Sequence, residues 1–558
     1  MKFISIVFAV FFLNNIIATN SYLGYSATLN TNHFQEDIFI TPNPLIKEYI
    51  KNYLITIENS QTIKLGGEKI SGNIIITNLY NQVHHKPLWS NLKNRKDLVK
   101  ILDNAYYEGL NSKDYHVDFI KKYNTQIQRG EKLNPDKIAV ADIIMTDAIL
   151  TYSYHLIRGK VHPVKLDPNW NYSSKHVPDS AEFKLLHCLK TNTLQSGIDS
   201  ICSELPLYQK LCSWFAKYDS IHKAGGEVPS IKYPGKALKL GDSLAAVKEL
   251  KISLRAYEHP IDTIDNKFDE DLESALIKFQ IQNGLESDGI AGKNTYKALN
   301  ISIKERLDII RVNLERVRWL NNELPPEFLL VNIADFNLYI YRNKQIDYRS
   351  RVVVGKEQHQ TPVFTSQINY LVFNPTWTVP YSIATKEILP KLKHDSLYLQ
   401  NRNMTLLSGG SEINPSKVDF SKFSERNFPY TIRQEPGSNN ALGQVKFIFP
   451  NKHTVYLHDT PSKSYFSRTE RAFSHGCIRV HNPLLLVEEL LGSQGYNQKK
   501  ISQTLKTKKQ QNVHLKKAMT VMILYMTCYE NYEDHEVYFY RDIYGRDKKL
   551  LSELKKPR

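Results

Sequence analysis

Apolar residues recur at helical spacing through the first part of the chain and in short strand-like runs through the last. Between residues 40 and 225 the spacing predicts helices. Leu98, Ile101, Leu102 and Ala105 share one face until Gly109 stops the run. Ile143, Ile144, Ala148, Leu150 and Tyr154 repeat that pattern before Gly159. Both read as amphipathic helices of a core. Gly225, Gly226, Pro229 and Pro234 mark a linker. A compact helical unit then spans 236–300: Leu244, Val247, Leu250 and Leu254 outline one helix, and Leu272, Ala275, Leu276 and Phe279 a second. Glycines 284, 289 and 292 punctuate its turns. Within the connecting segment 301–326, Ile303, Leu307, Ile310, Leu314 and Val317 line one helix face, and Pro325-Pro326 are expected to end it.

From residue 327 the rhythm becomes that of strands. Runs at 328–333, 337–341, 351–354 and 370–373 are rich in β-branched and aromatic residues, and runs at 445–449, 454–457, 521–526 and 537–540 continue them. The overall expectation is a multidomain α+β chain whose last domain, 327–546, is mainly β. Residues 383–440 interrupt the strand rhythm with Lys386, Lys391, Lys393, Gly409-Gly410 and Pro436-Gly437, and read as an insertion: surface decoration, or a lid over a site. The Lys/Gln-rich stretch 493–517 reads as a solvated loop. A nucleic-acid arm is the sharper alternative, but no aromatics interleave there.

Composition narrows the class. In 558 residues, 41% are hydrophobic and 23% charged, which excludes a wholly disordered or collagen-like chain. A net charge of +16 favours an anionic partner without naming it. Met1-Lys2 followed by an apolar run to Leu13, with Ala18 as a small residue for cleavage, reads as a signal peptide over 1–20. The run is too short to span a bilayer, although an uncleaved anchor is the alternative. An exported chain with five cysteines leaves one thiol over. Cys188, Cys202 and Cys212 lie in one segment, where any two are able to pair. Cys528, in an apolar run, reads as a small buried hydrophobe.

Cys477 differs. It stands at a strand-to-turn junction in Ser474-His475-Gly476-Cys477-Ile478-Arg479, and His458 ends a separate strand in Tyr456-Leu457-His458-Asp459-Thr460-Pro461. Neighbouring strands are able to unite them. Only a thiolate attacks a carbonyl well, and a nearby imidazole takes the thiol proton and later protonates a leaving amine. Gly476 lets backbone amides approach a tetrahedral oxygen. Arg479 shares a strand face with Cys477 if the strand continues, to hold a substrate carboxylate or brace the loop. His475 also shares that face and competes with His458 as base. No CxxC or HExxH partner accompanies the pair, so no metal or other cofactor is expected.

These motifs resemble a known family. His458-Asp459-Thr460-Pro461 followed by Ser474-His475-Gly476-Cys477-Ile478-Arg479-Val480 is similar to the signature of the L,D-transpeptidase (YkuD-like) catalytic domain. Gly355 with Thr361-Pro362, Asn374 to Pro380, Arg433 to Gly437 and Asp542 to Gly545 add to it. Phe279-Gln280, Asn283-Gly284-Leu285, Asp288-Gly289 and Gly292 resemble a three-helix peptidoglycan-binding domain. With Trp89, Gly109, Asp114, Asp147 and Arg158-Gly159-Lys160, the resemblance extends to the large periplasmic branch: helical scaffold domain (40–225), peptidoglycan-binding domain (236–300) and lidded catalytic domain.

The resemblance implies that Cys477 is the nucleophile and that His458 is the proton donor and acceptor, oriented by the Asp459 carbonyl. His475 would be supporting, Arg479 would orient substrate, and Tyr456 would line the pocket. It further implies attack on a tetrapeptide stem at its third residue, loss of D-alanine, and 3→3 cross-linking to a neighbouring stem. Trimming by water (an L,D-carboxypeptidase) and a non-catalytic wall-binding protein are the alternatives. Glycan would bind through 238–300, carbapenems would acylate the thiol, and nucleic acid is not an expected partner.

Overall fold

The computed structural model describes residues 43–59, 63–71, 73–166, 181–203, 205–226, 230–257, 259–320, 324–531, 534 and 536–557; the expected signal segment 1–20 lies outside them. Among the described residues, no helix is long and apolar enough to cross a membrane.

The helical region is built around Pro135–Arg158. Asn134 caps this helix, Pro135 occupies its first turn, and Ile143, Ile144, Ala148 and Ile149 are buried on its inner side. Leu92–Asn104, capped by Asn91, adds Leu98, Ile101 and Leu102 to the same core. A hairpin of Ile63–Leu65 and Glu68–Ile70, turning on Gly66-Gly67, was not anticipated. Its strands are too short for alternation to show. All five cysteines are free, so none of the possible pairings of Cys188, Cys202 and Cys212 is formed; Cys212 instead donates to Glu108 at 3.4 Å. Cys528 is buried.

The next unit folds Ala245–Ala256, Glu270–Gln282 and Lys293–Leu299 around Leu250, Leu254, Leu276, Phe279 and Leu299. The structure gives Gln280 a definite task. It donates to Asp288 Oδ1 (2.9 Å) and the Ile290 carbonyl (3.0 Å) and accepts from the Gly289 amide (3.0 Å), clamping the glycine-rich turn to the helix.

The connecting helix, Ile303–Arg318, starts on a Ser302/Glu305 capping box. It ends at Arg318, before Pro325 is reached, so the proline pair does not terminate it. Its last turn carries a fully buried ion pair, Arg318 Nη1 to Glu315 Oε2 at 2.8 Å. Glu315 Oε1 also accepts from the Val161 amide, and Arg318 donates to the Glu108 carbonyl. These buried charges tie the helical region to the connecting helix. Breaking such a pair on one side is costly, which makes the joint stiff.

The main sheet of the C-terminal domain has nine strands: β1 (Glu327–Asn332), β2 (Asn337–Arg342), β3 (Gln345–Gly355), β4 (Phe364–Phe373), β5 (Val445–Ile448), β6 (Leu457–His458), β7 (Ala472–Ser474), β8 (Ile478–Val480) and β9 (Gln511–Leu524). Their order is β7-β3-β8-β6-β5-β4-β9-β1-β2, and β3 also pairs with β2, so the sheet curls back on itself. Side chains alternate across a strand. Val352, Val354, Leu371, Phe373, Val445, Phe447, Leu457, Ile478 and Val480 point into one core, which the helix Pro483–Leu491 helps to cover with Leu486, Val487 and Leu491. Residues between them face the other way.

Asn482, which precedes the helix Pro483–Leu491, sits at φ 50° and its side chain makes no cap hydrogen bond. One local expectation fails in this domain. The stretch 493–517 is not a solvated loop. It contains the helix Gln498–Lys506, capped by Asn497 and burying Ile501 and Thr504, and then the start of β9. Its lysines occupy the outer helix face and mask a one-sided apolar pattern. The insertion forms its own sheet of Trp377–Thr378, Thr431–Gln434, Met404–Ser408 and Ser411–Ile413, over a core that includes Ile388, Leu399, Leu406 and Ile432.

Candidate active site

The face of the sheet turned away from the core carries the chemistry. β6 runs between β5 and β8, with His458 opposite Lys446 on one side and Arg479 on the other. Cys477 immediately precedes β8. The Ile478 amide donates to the Tyr456 carbonyl at 3.1 Å, setting Cys477 beside Tyr456. Tyr456, His458, Cys477 and Arg479 therefore share one face on adjoining strands.

Cys477 is half-buried, with Sγ 3.8 Å from the Thr454 carbonyl. Burial pushes its thiol above the ordinary value. The amide and hydroxyl of Tyr456 and the charge of Arg479 oppose that push. His458 is buried, and its Nδ1 lies 2.5 Å from the Asp459 carbonyl. A carbonyl only accepts, so Nδ1 carries the hydrogen and Nε2 keeps its lone pair. Burial, then Arg479, then Lys446 bring the His458 pKa down to about 3 against the pull of the Asp459 carbonyl. At neutral pH the resting pair is a thiol and a neutral imidazole.

No hydrogen bond joins the two groups among the described residues; the thiol turns toward Thr454 instead. They stand as diagonal neighbours across the parallel strands β6 and β8: His458 lies opposite Arg479, two positions along from Cys477. Rotation of the cysteine side chain shortens the gap, and catalytic hydrogen bonds are commonly long before substrate arrives.

Three hydroxyls that the sequence reading quoted within its motifs without giving them a role hold the nucleophile turn. Ser474 Oγ donates to the Cys477 carbonyl (2.5 Å) and accepts from the Gly476 amide (3.1 Å). Thr361 Oγ1 donates to the Gly476 carbonyl and accepts from the Gly355 amide, both at 2.9 Å. Tyr544 Oη donates to the Gly355 carbonyl at 2.6 Å. Gly476 sits at φ 111°, where a side chain is strained. Its amide is thus committed to Ser474, whereas the Cys477 amide makes no hydrogen bond among the described residues.

Gly355 is required for a different reason. A β-carbon there would come within 2.0 Å of the His359 carbonyl and 3.1 Å of the Gly476 α-carbon. Gly355→Ala is therefore expected to destabilise the domain by about 1–3 kcal/mol or more through overpacking. Turnover would fall with it, because the turn carrying Cys477 must shift. A thermal melt and a turnover assay on the purified variant check this.

His475 faces the insertion rather than His458. Its Nε2 lies 2.7 Å from Glu387, and its ring is 5.1 Å from His359. The insertion thereby reaches the residue two before the nucleophile. The Asp459 carboxylate accepts from the amides of Thr460 (2.7 Å) and Gln444 (2.9 Å) and from Lys463 (2.5 Å), which braces the loop after β6. The Arg479 guanidinium lies 5.8 Å over the Tyr465 ring, and its Nε is buried without a partner. Lys446 was missed. Its signal is plain in retrospect: in Val445-Lys446-Phe447 a lysine alternates with core residues, which places it on the outward face. No cluster of three potential metal ligands occurs among the described residues.

Residues 326–488 match the family of L,D-transpeptidase catalytic domains, YkuD. The chain carries an L,D-transpeptidase catalytic domain. Residues 75–213 match a scaffold domain family, and 243–299 a peptidoglycan binding domain family whose own ligand assignment is provisional. A Haemophilus influenzae protein, itself provisionally assigned as an L,D-transpeptidase, is 32% identical over 265 residues, which cover 47% of this chain. The chain matches about half (51%) of the length of that curated relative. Among solved structures, an L,D-transpeptidase from Stackebrandtia nassauensis aligns at 15% identity with a TM-score of 0.21, over 51% of this chain and 94% of its own. One from Xylanimonas cellulosilytica aligns at 13% identity with a TM-score of 0.18, over 53% and 98%. The assignment of the L,D-transpeptidase domain rests on the sequence matches.

Proposed function

We propose that this protein is a cysteine-dependent L,D-transpeptidase that joins peptidoglycan stem peptides by 3→3 cross-links. The observation that carries the reading is the common outward face of Cys477 and His458 on adjoining strands, with His458 Nδ1 tied to the Asp459 carbonyl. That tie leaves Nε2 free to move protons.

Cys477 attacks the carbonyl of the third residue of a tetrapeptide stem. The resting thiol is protonated, so its proton passes to His458 Nε2 as the sulfur–carbon bond forms. The amide of Cys477, which has no other partner among the described residues, donates to the developing oxyanion. The Tyr456 hydroxyl steadies the sulfur whenever it is anionic. His458 returns the proton to the leaving D-alanine nitrogen. An amine of a neighbouring stem then attacks the thioester, and the proton path runs in reverse. The segment 238–300 holds glycan, and the insertion over His475 acts as a lid. The expected signal segment and the +16 charge support export to the periplasm and an anionic wall polymer.

Incubation of the purified protein with disaccharide-tetrapeptides, followed by mass spectrometry, tests the reading. Cross-linked dimer supports it. Trimmed tripeptide alone would make the protein an L,D-carboxypeptidase, and no product at all would leave only wall binding.

A further inference from the structure

Lys446 is a half-buried cation opposite His458, and it has no counter-charge. Its ammonium makes no hydrogen bond or ion pair among the described residues, and burial is the sole influence on its proton affinity. It lies 5.8 Å over the ring of Tyr456. A lysine held this way has surrendered part of its hydration and gains from an anion that reaches it.

The register of the sheet says which part of the substrate that anion belongs to. β6, bearing His458, separates β8 from β5. Cys477 is on the β8 side, so the acyl carbon bonded to its sulfur lies there. Lys446 is on the β5 side, beyond the imidazole. The nitrogen that exchanges a proton with His458 therefore lies between the acyl carbon and Lys446. In the transpeptidase reading, on which this inference rests, the leaving nitrogen belongs to D-alanine, whose carboxylate is one carbon away.

We propose that Lys446 binds the α-carboxylate of the amine component in both half-reactions, so that the site selects amines bearing a carboxylate on the adjacent carbon. In the first half-reaction the sulfur–carbon bond forms and the amide carbon–nitrogen bond breaks. The thiol proton travels through His458 to the departing nitrogen. In the second, the new carbon–nitrogen bond forms and the thioester breaks. A proton from the attacking amine travels through His458 to the sulfur. Lys446 stays protonated and exchanges nothing; it contributes a charge contact at fixed distance from the imidazole. Arg479, on the Cys477 side and over Tyr465, is left for the acyl part of the donor.

The full-length protein, supplied with a disaccharide-tetrapeptide donor, is offered isotope-labelled D-alanine or ethylamine as acceptor. These amines differ by the carboxylate. Exchange, amide formation and hydrolysis are followed by mass spectrometry. In Lys446→Met acyl-enzyme formation from the tetrapeptide donor is expected to slow, and the ratio of kcat/KM for D-alanine to that for ethylamine to fall at least tenfold, with the thermal melt unchanged. Lys446→Arg is expected to restore much of the ratio. An unchanged ratio in Lys446→Met, with acyl-enzyme still formed, would overturn the carboxylate site alone. Failure of the wild-type protein to form acyl-enzyme would overturn both this site and the transpeptidase reading.

Discussion

Cys477→Ala is expected to abolish every product of the tetrapeptide donor, dimer and trimmed monomer alike. The reason is chemical rather than structural. The thiol is a weak hydrogen-bonding group whose contacts are the Thr454 carbonyl at 3.8 Å and the amide and hydroxyl of Tyr456, so its removal leaves no strong bond broken. The turn around it is held by Ser474, Thr361 and Tyr544, none of which depends on the sulfur. The variant should therefore melt at nearly the wild-type temperature while losing turnover to background. Intact-protein mass spectrometry makes the distinction directly. The wild type should gain the mass of a disaccharide-tripeptide acyl group, and of a carbapenem when one is offered, whereas Cys477→Ala should gain neither. Turnover surviving in a folded Cys477→Ala protein would remove the nucleophile from Cys477.

Much of this arrangement was legible in the sequence, because it depends on local patterns. The heptad-like faces of Pro135–Arg158 and Ile303–Arg318 announce helices, and the glycine-punctuated unit between them announces a small bundle. Cys477 and His458 stood out because a thiol at a turn and an imidazole at a strand end are poor core residues. What escaped was whatever depends on register. Lys446 acquires meaning only when β5 is laid against β6, and Thr361 and Tyr544 only when segments 115 and 183 residues away meet Gly476 and Thr361. The stretch 493–517 misled for another reason. Its lysines dominate the composition, yet a helix needs only Ile501 and Thr504 on its inner side to dock. Gly476 was read as the small residue that lets backbone amides approach an oxyanion, without saying which amide. In the fold the Ser474 hydroxyl accepts from the Gly476 amide, and the neighbouring Cys477 amide has no partner among the described residues.

His458→Ala is expected to lower kcat by about 10²–10⁴, the usual worth of a positioned general acid–base, with acylation slowed more than binding. The pH dependence gives a sharper signature than the loss itself. Burial and three neighbouring groups set the affinity of His458 for a proton: burial and the cations Arg479 and Lys446 on either side lower it, and the Asp459 carbonyl raises it, leaving the pKa at about 3. Since kcat/KM reports the free enzyme, its acid limb should lie near pH 3, and the profile should be flat from pH 5 to neutrality. A limb near 6.5, the ordinary histidine value, would mean that His458 is more hydrated or less flanked by charge than the sheet register places it. The sign follows from the neutral resting pair: protonating Nε2 removes the base, so activity falls as pH drops through the folded value and not before. Arg479→Gln removes one of the two flanking cations and should move the limb upward. In His458→Ala the limb should vanish with the residue, which separates a true base from a residue that only supports the sheet.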